Sequence, residues 1–188
     1  MVMNMLSIRK YEEKDFENVR YVCLHSEGEE PEKTFAEFVL HTFCDYYLEN
    51  EPYNCFVVDD DGKAVGYIIC TEDYDRYKEI FDKDYLPLTK PQGEEYYNWA
   101  LNSTVLQEKY KAVYPAHLHI DLLPDYQRQG WGGKLLNTLF EHLRSKNIKG
   151  VMLTAGSENV NAGNFYKKYG FEQIEIFDTD VAFGIKLI

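Results

Sequence analysis

The sequence predicts an α/β domain with a mixed central sheet of about six or seven strands flanked by helices. Three observations carry this reading. A strand, a helix and a second strand follow one another from His117 to Ala155, the order of a parallel βαβ unit. Two short apolar runs, Asn54–Val58 and Ala64–Cys70, flank the turn Asp59–Gly62 and read as a hairpin. Two further runs, Phe171–Phe177 and Val181–Leu187, close the chain as strands.

Taken in order, Leu6–Tyr11 alternates like a short strand, and Glu12–Ser26 and Pro31–Leu48 read as helices. In the second helix Phe35, Phe38, Val39, Thr42, Phe43 and Tyr46 recur at helical spacing, and Pro31 suits a first turn. Residues 73–114 carry Tyr74, Tyr77, Tyr85, Tyr96, Tyr97 and Trp99, interrupted by Pro87, Pro91 and Gly93. This stretch is expected to be a mostly helical insert folded over the sheet, walling the acceptor side of a site. In Gly133–Lys146 a stripe of Leu135, Leu136, Leu139, Phe140 and Leu143 marks a helix with one buried face. Ala162, Phe165, Tyr166 and Tyr169 mark a shorter helix that Gly170 ends. With no linker or repeat, the 188 residues read as one domain.

Charge narrows the class of partner. The net charge is −12, and no basic stripe is present, which argues against nucleic acid as a ligand. A negative field suits a cationic substrate, and equally suits solubility. Cys23, Cys44, Cys55 and Cys70 form no C-x-x-C pair and read as reduced thiols. No apolar run has the length of a signal peptide or a membrane span, so a cytoplasmic protein is expected. Nothing fixes an oligomeric state, and a homodimer stays open.

The segment Gln127-Arg128-Gln129-Gly130-Trp131-Gly132-Gly133-Lys134 lies between a strand end and a helix start. Free N–H groups and the positive end of the helix dipole meet there. Glycines let that backbone close on an anion, and Arg128 and Lys134 add charge, so the loop reads as a phosphate site. A Walker A loop is excluded because Leu135 follows Lys134 where Ser or Thr is required. A dinucleotide fingerprint lacks its third glycine, since that position is also Leu135.

The pattern that fits is Gln-x-x-Gly-x-Gly from Gln127 to Gly132. It is preceded by Leu-x-Ile-x-Leu-x-Pro (Leu118–Pro124) and followed by Asn-x-x-Ala-x-x-Phe-Tyr-x-x-x-Gly-Phe (Asn159–Phe171). Over residues 116–171 the chain resembles the GNAT N-acetyltransferase superfamily. The tract from Tyr114 to Pro124 is also similar to bacterial relatives of the acetyltransferase-like domain of O-GlcNAcase.

The resemblance implies the GNAT fold, acetyl-CoA as co-substrate, a small-molecule or peptide amine as acceptor, and direct attack without a covalent enzyme intermediate. It implies that the backbone of Leu122 and Leu123 pairs with the pantetheine arm. The N–H groups of Gln127, Arg128, Gln129, Gly130, Trp131, Gly132 and Gly133 would hold the pyrophosphate, with Lys134 beside it. Asn159 would anchor the arm from the other side, and Tyr166 would protonate the leaving thiolate. A GNAT fold that binds acyl-CoA without catalysis is the alternative.

The general base stays open. His117, His119 and Asp121 alternate along one strand and share a face. They read as a transition-metal site, as a source of the base (His119 or Asp121), or as a hydrogen-bonded polar face. No metal is expected. Glu72, at the end of the preceding strand, is a further candidate base.

Overall fold

Hydrophobic alternation builds a seven-stranded sheet in the order β1-β2-β3-β4-β5-β7-β6, and the computed structural model describes residues 6–188. The strands are β1 (Ser7–Lys10), β2 (Phe56–Asp60), β3 (Lys63–Thr71), β4 (Ala116–Leu122), β5 (Gly150–Gly156), β6 (Glu172–Phe177) and β7 (Asp180–Lys186). β2 and β3 form the expected hairpin. Asp61 and Gly62 take positive φ of 52° and 88°, the backbone twist that a tight hairpin turn requires. β4 and β5 are parallel, joined by the long helix α7 (Trp131–Ser145). The two last strands form a hairpin in which β7, not β6, pairs with β5.

Each face of the sheet is covered by a different core. On one, Leu135, Leu136, Leu139 and Leu143 of α7 are fully buried against Ile68, Leu118 and Leu153. Burying each such leucine contributes about 1.5–3 kcal/mol. On the other lie α1 (Phe16–His25), α2 (Lys33–Phe43), α3 (Asp45–Asn50) and the 73–114 insert, whose helices are α4 (Tyr74–Ile80), α5 (Glu94–Asn102) and α6 (Val105–Tyr110). Here the packing is aromatic, with Tyr46, Tyr47 and Tyr77 in mutual contact at centroid distances of 4.7–5.9 Å. The last helix, α8 (Val160–Lys168), is followed by Gly170 at φ 90°.

Two expectations need correction. The stretch predicted as one helix over 31–48 is two, because Cys44 leaves helical geometry at φ −129°, ψ −61°. The break lets Tyr46 and Tyr47 both turn inward, which one continuous amphipathic stripe could not do. Pro31 lies outside the helix. Glu32 is the N-cap, its carboxylate accepting from Thr34 and Phe35 N–H.

Candidate active site

The site begins with a parallel pair that stops early. β4 and β5 are in register only at Ala116↔Val151 and His117↔Met152. β5 stays paired with β7 along its whole length, out to Gly156↔Asp180, and so diverges from β4. On its other side β4 remains paired with β3 from His117 to Leu122.

Backbone direction in the gap follows from one bond. Leu123 N–H donates to Val65 C=O at 3.0 Å, so in this antiparallel register the residues that bond β3 are 119, 121 and 123. The N–H and C=O groups of Ile120, and the N–H of Leu122, therefore point into the gap. Leu123 does not contribute there. Its N–H is held by Val65 and its C=O accepts from Tyr126 N–H at 2.9 Å. Leu122 C=O accepts from Gln127 Nε2 at 2.9 Å.

That amide anchors the glycine loop. Gln127 Nε2 also donates to Ser26 C=O at 2.7 Å, tying the loop to the end of α1. Gln127 N–H is spent on Pro124 C=O, so its role is to hold the loop rather than to offer a free donor. Gln129 is likewise tied back, Nε2 donating to Asp125 C=O at 2.5 Å. Arg128 at φ 59° and Gly130 at φ 86° turn the chain so that α7 starts without a side-chain cap. Among the described residues, the N–H groups of Arg128, Gln129, Gly130, Trp131, Gly132 and Gly133 have no acceptor. Consecutive free donors at a fifteen-residue helix's N-terminus form an anion cradle. Lys134 Nζ sits 3.7 Å from the centroid of the Trp131 ring, beside the cradle.

The glycines have separate reasons. A Cβ at Gly132 would stand 3.0 Å from Phe165 Cζ, and one at Gly133 only 1.8 Å from Tyr169 Oη. The helix start is thus pressed against α8. Asn159 caps that helix, its Oδ1 accepting from Ala162 N–H at 3.0 Å.

Tyr166 projects from α8 to the gap. It lines a cavity of about 130 Å³ with Leu118, His119, Ile120, Asp121 and Thr154. Phe165, Phe171 and Phe183 pack its ring at 5.4–5.7 Å. No protein group bonds its hydroxyl among the described residues. Burial, with Asp121 nearby, raises the phenol's pKa, so it stays protonated as a donor.

A second cavity, of about 250 Å³, adjoins this one through His119, Asp121 and Thr154, and is also lined by Tyr67, Trp99 and Asp180. Trp99, from the aromatic insert, is one of the residues lining this cavity. Asp121 accepts from Tyr67 Oη at 2.5 Å. Burial lifts its pKa to about 7, against the hydroxyls of Tyr67 and Ser26, which lower it. His119 is pushed down to about 4 by burial. Asp180 is also raised, by burial and then by Asp178. Among the described residues, no Lys or Arg lines either cavity.

His117 and His119 do not open toward a common ligand point. Both Nε2 atoms face Tyr47 Oη, at 2.8 and 3.1 Å. Among the described residues, no group of three or more His, Cys, Asp or Glu side chains could hold a metal ion. Glu72 is not brought to the gap. It accepts from Asn54 Nδ2 at 3.0 Å and pairs with Lys146 near the opposite end of α7, and Lys146 together with Asn54 outweighs the burial that would raise its pKa. Tyr67 and Tyr47 were not singled out in the sequence. Alternation along β3 places Tyr67 on the face of Asp121, and that was a usable signal; Tyr47 had none.

Comparison with known proteins agrees with this geometry. The acetyltransferase (GNAT) family profile matches residues 8–171. Over 131 residues the chain is 27% identical to an uncharacterized N-acetyltransferase of Methanocaldococcus jannaschii, a match covering 70% of this chain and 44% of that relative. The match thus spans less than half the length of that relative. Among solved structures, SsHAT superposes with a TM-score of 0.86 at 29% identity, covering 97% of this chain and 98% of that one. PaiA N-acetyltransferase of Thermoplasma acidophilum, solved with coenzyme A, shares the fold at a TM-score of 0.62 and 16% identity, covering 97% and 99%. A Drosophila melanogaster polyamine N-acetyltransferase does so at 0.66 and 16%, covering 97% and 100%. No helix among the described residues is long and apolar enough to cross a membrane. The family match, the split between β4 and β5 and the donor-rich start of α7 lead to one assignment: this chain belongs to the GNAT acetyltransferase family.

Proposed function

We propose that this protein transfers an acetyl group from acetyl-CoA to a primary amine of a cationic small-molecule or peptide acceptor. The observation that carries the reading is the unpaired N–H and C=O of Ile120 and N–H of Leu122, in line with the free donors at the start of α7. A pantetheine arm is a chain of amides and would pair with Ile120 and Leu122 as a strand does. The pyrophosphate would take the N–H groups from Arg128 to Gly133, with Lys134 and Arg128 adding charge. Asn159, already a helix cap, still has its Nδ2 to offer the arm.

The residues divide the proton work. An incoming ammonium must lose a proton before its nitrogen can attack the thioester carbonyl. Asp121, with a pKa near neutrality, is matched to take it. Ile120 N–H can donate to the carbonyl oxygen as charge develops there. Tyr166, held protonated across the same cavity, can return a proton to the departing sulfur. The acceptor enters between Trp99, Tyr67 and Asp180, where carboxylates without basic neighbours favour a cation. A polyamine N-acetyltransferase of Drosophila melanogaster and an agmatine N-acetyltransferase, the latter a fold neighbour at 17% identity, are in keeping with an amine acceptor.

The test is a thermal melt with acetyl-CoA, followed by release of free CoA thiol across a panel of diamines and lysine peptides. A ligand at a hundredfold excess over Kd stabilises by about 2.7 kcal/mol. No shift at millimolar acetyl-CoA refutes the reading. A shift with no turnover on any amine favours the non-catalytic binding module.

A further inference from the structure

Tyr47 is fully buried between two imidazoles, and its hydroxyl has one proton to give. His117 Nε2 and His119 Nε2 lie on either side of that oxygen. Burial disfavours the charged form of both rings, and His119 further disfavours charge on His117. If both neutral imidazoles donated to this one oxygen, the Tyr47 O–H, which has no third hydrogen-bond partner among the described residues, would be an orphaned buried donor. That leaves two arrangements, in each of which one ring donates to the phenol oxygen and the other accepts from it.

His117 decides between them. Its Nδ1 is buried with no hydrogen-bond partner, and the ring otherwise packs among Tyr74 and Tyr77. If the Tyr47 hydroxyl pointed at His117, the His117 hydrogen would sit on Nδ1 as an orphaned buried donor. Orphaned N–H groups are rarer in native structures than unfilled acceptors. The less costly arrangement runs His117 Nε2–H to Tyr47 oxygen, then Tyr47 O–H to His119 Nε2. His119 must then carry its hydrogen on Nδ1. That atom has no partner among the described residues, and the ring lines both cavities of the cleft.

We infer that His119 is locked as the neutral Nδ1–H tautomer, a hydrogen-bond donor into the cleft, with Tyr47 and His117 as the positioning residues that hold it. A donor at the junction of the acyl and acceptor cavities can bond an oxygen of the bound acyl group or acceptor. It cannot take the proton of the ammonium, which leaves that task to Asp121. The catalytic consequence rests on the acetyl-transfer reading above; the tautomer belongs to the free protein and does not.

Long-range ¹H–¹⁵N correlation on histidine-labelled full chain, without substrate, reads the tautomer at pH 7. The expected pattern is a pyrrole-type Nδ1 and pyridine-type Nε2 for His119, reversed for His117. His119→Asn and His119→Gln assign the resonance. The inference is overturned by a pyridine-type Nδ1 at His119, or by a charged ring there. Tyr47→Phe should release the lock and mix the His119 tautomers; should that variant not fold, the wild-type spectrum alone decides. In turnover, His119→Asn keeps a donor where Nδ1 stands and should retain kcat within about threefold. His119→Ala should lose about a hundredfold, with the acidic limb of kcat/KM unmoved. Loss of that limb in His119→Ala would make His119 the base and overturn the assignment. If no amine is ever acetylated, the acetyl-transfer reading fails while the spectrum still judges the tautomer.

Discussion

Replacing Asp121 with Asn keeps an oxygen where Tyr67 donates and removes the ionisation at that position. The native contact is 2.5 Å from Tyr67 Oη to Asp121 Oδ2, and an amide oxygen can accept the same bond. Packing should therefore survive while the base is lost. With a pKa of about 7, roughly a tenth of wild-type Asp121 is ionised at pH 6 and about nine tenths at pH 8. Wild-type kcat/KM should climb nearly tenfold per pH unit below neutrality and level off above it. Loss of general-base assistance is worth about 10²–10⁴ in kcat, and the acidic limb should vanish in Asp121→Asn. Stability supplies an independent sign. The raised carboxyl pKa means the native state holds a proton that the unfolded chain gives up near pH 4. The Asp121 contribution to stability therefore falls as pH rises from about 4 to about 7, then levels. His117 and His119, depressed by burial, slope the opposite way, and their contribution cancels between variant and wild type. Asp121→Asn should gain on wild type in a melt at pH 8 relative to pH 4. CoA-thiol release across pH and paired melts measure both. Wild-type activity in the variant, with its acidic limb intact, refutes the assignment.

Tyr166→Phe keeps the ring among Phe165, Phe171 and Phe183 and removes a hydroxyl with no protein partner, so stability should change by about 1 kcal/mol or less. Its kcat should fall by about 10²–10⁴ with acetyl-CoA affinity held, and full activity would make it a packing residue. Gly132→Glu sets a carboxylate among the cradle's donors and a Cβ 3.0 Å from Phe165 Cζ. The acetyl-CoA melting shift should disappear while circular dichroism stays native. Trp99→Ala should raise the acceptor KM and leave the acetyl-CoA shift intact, because Trp99 lines the acceptor cavity and not the one at Tyr166. An equal loss of cofactor affinity in the folded variant would move Trp99 to the other side of the site.

Local pattern was enough for much of this molecule. The βαβ unit, the β2–β3 hairpin and the buried stripe of α7 were legible because each depends on residues a few positions apart. The anion loop was legible for the same reason: free N–H groups and glycine backbone freedom are consequences of a strand end meeting a helix start. What tertiary structure decided were relations between distant segments. The gap between β4 and β5 exists because β7 holds β5, and no residue in either strand announces that pairing. Leu123 was assigned to the gap by motif position, yet pairing with β3 turns its N–H the other way. Asp121, His119 and Glu72 looked alike as candidate bases. Burial raised the first pKa, the Tyr47 hydroxyl bonded the second, and Lys146 neutralised the third, an ionisable partner 74 positions away. Sequence names the chemical groups and their local backbone; desolvation and long-range pairing set which of them can move a proton.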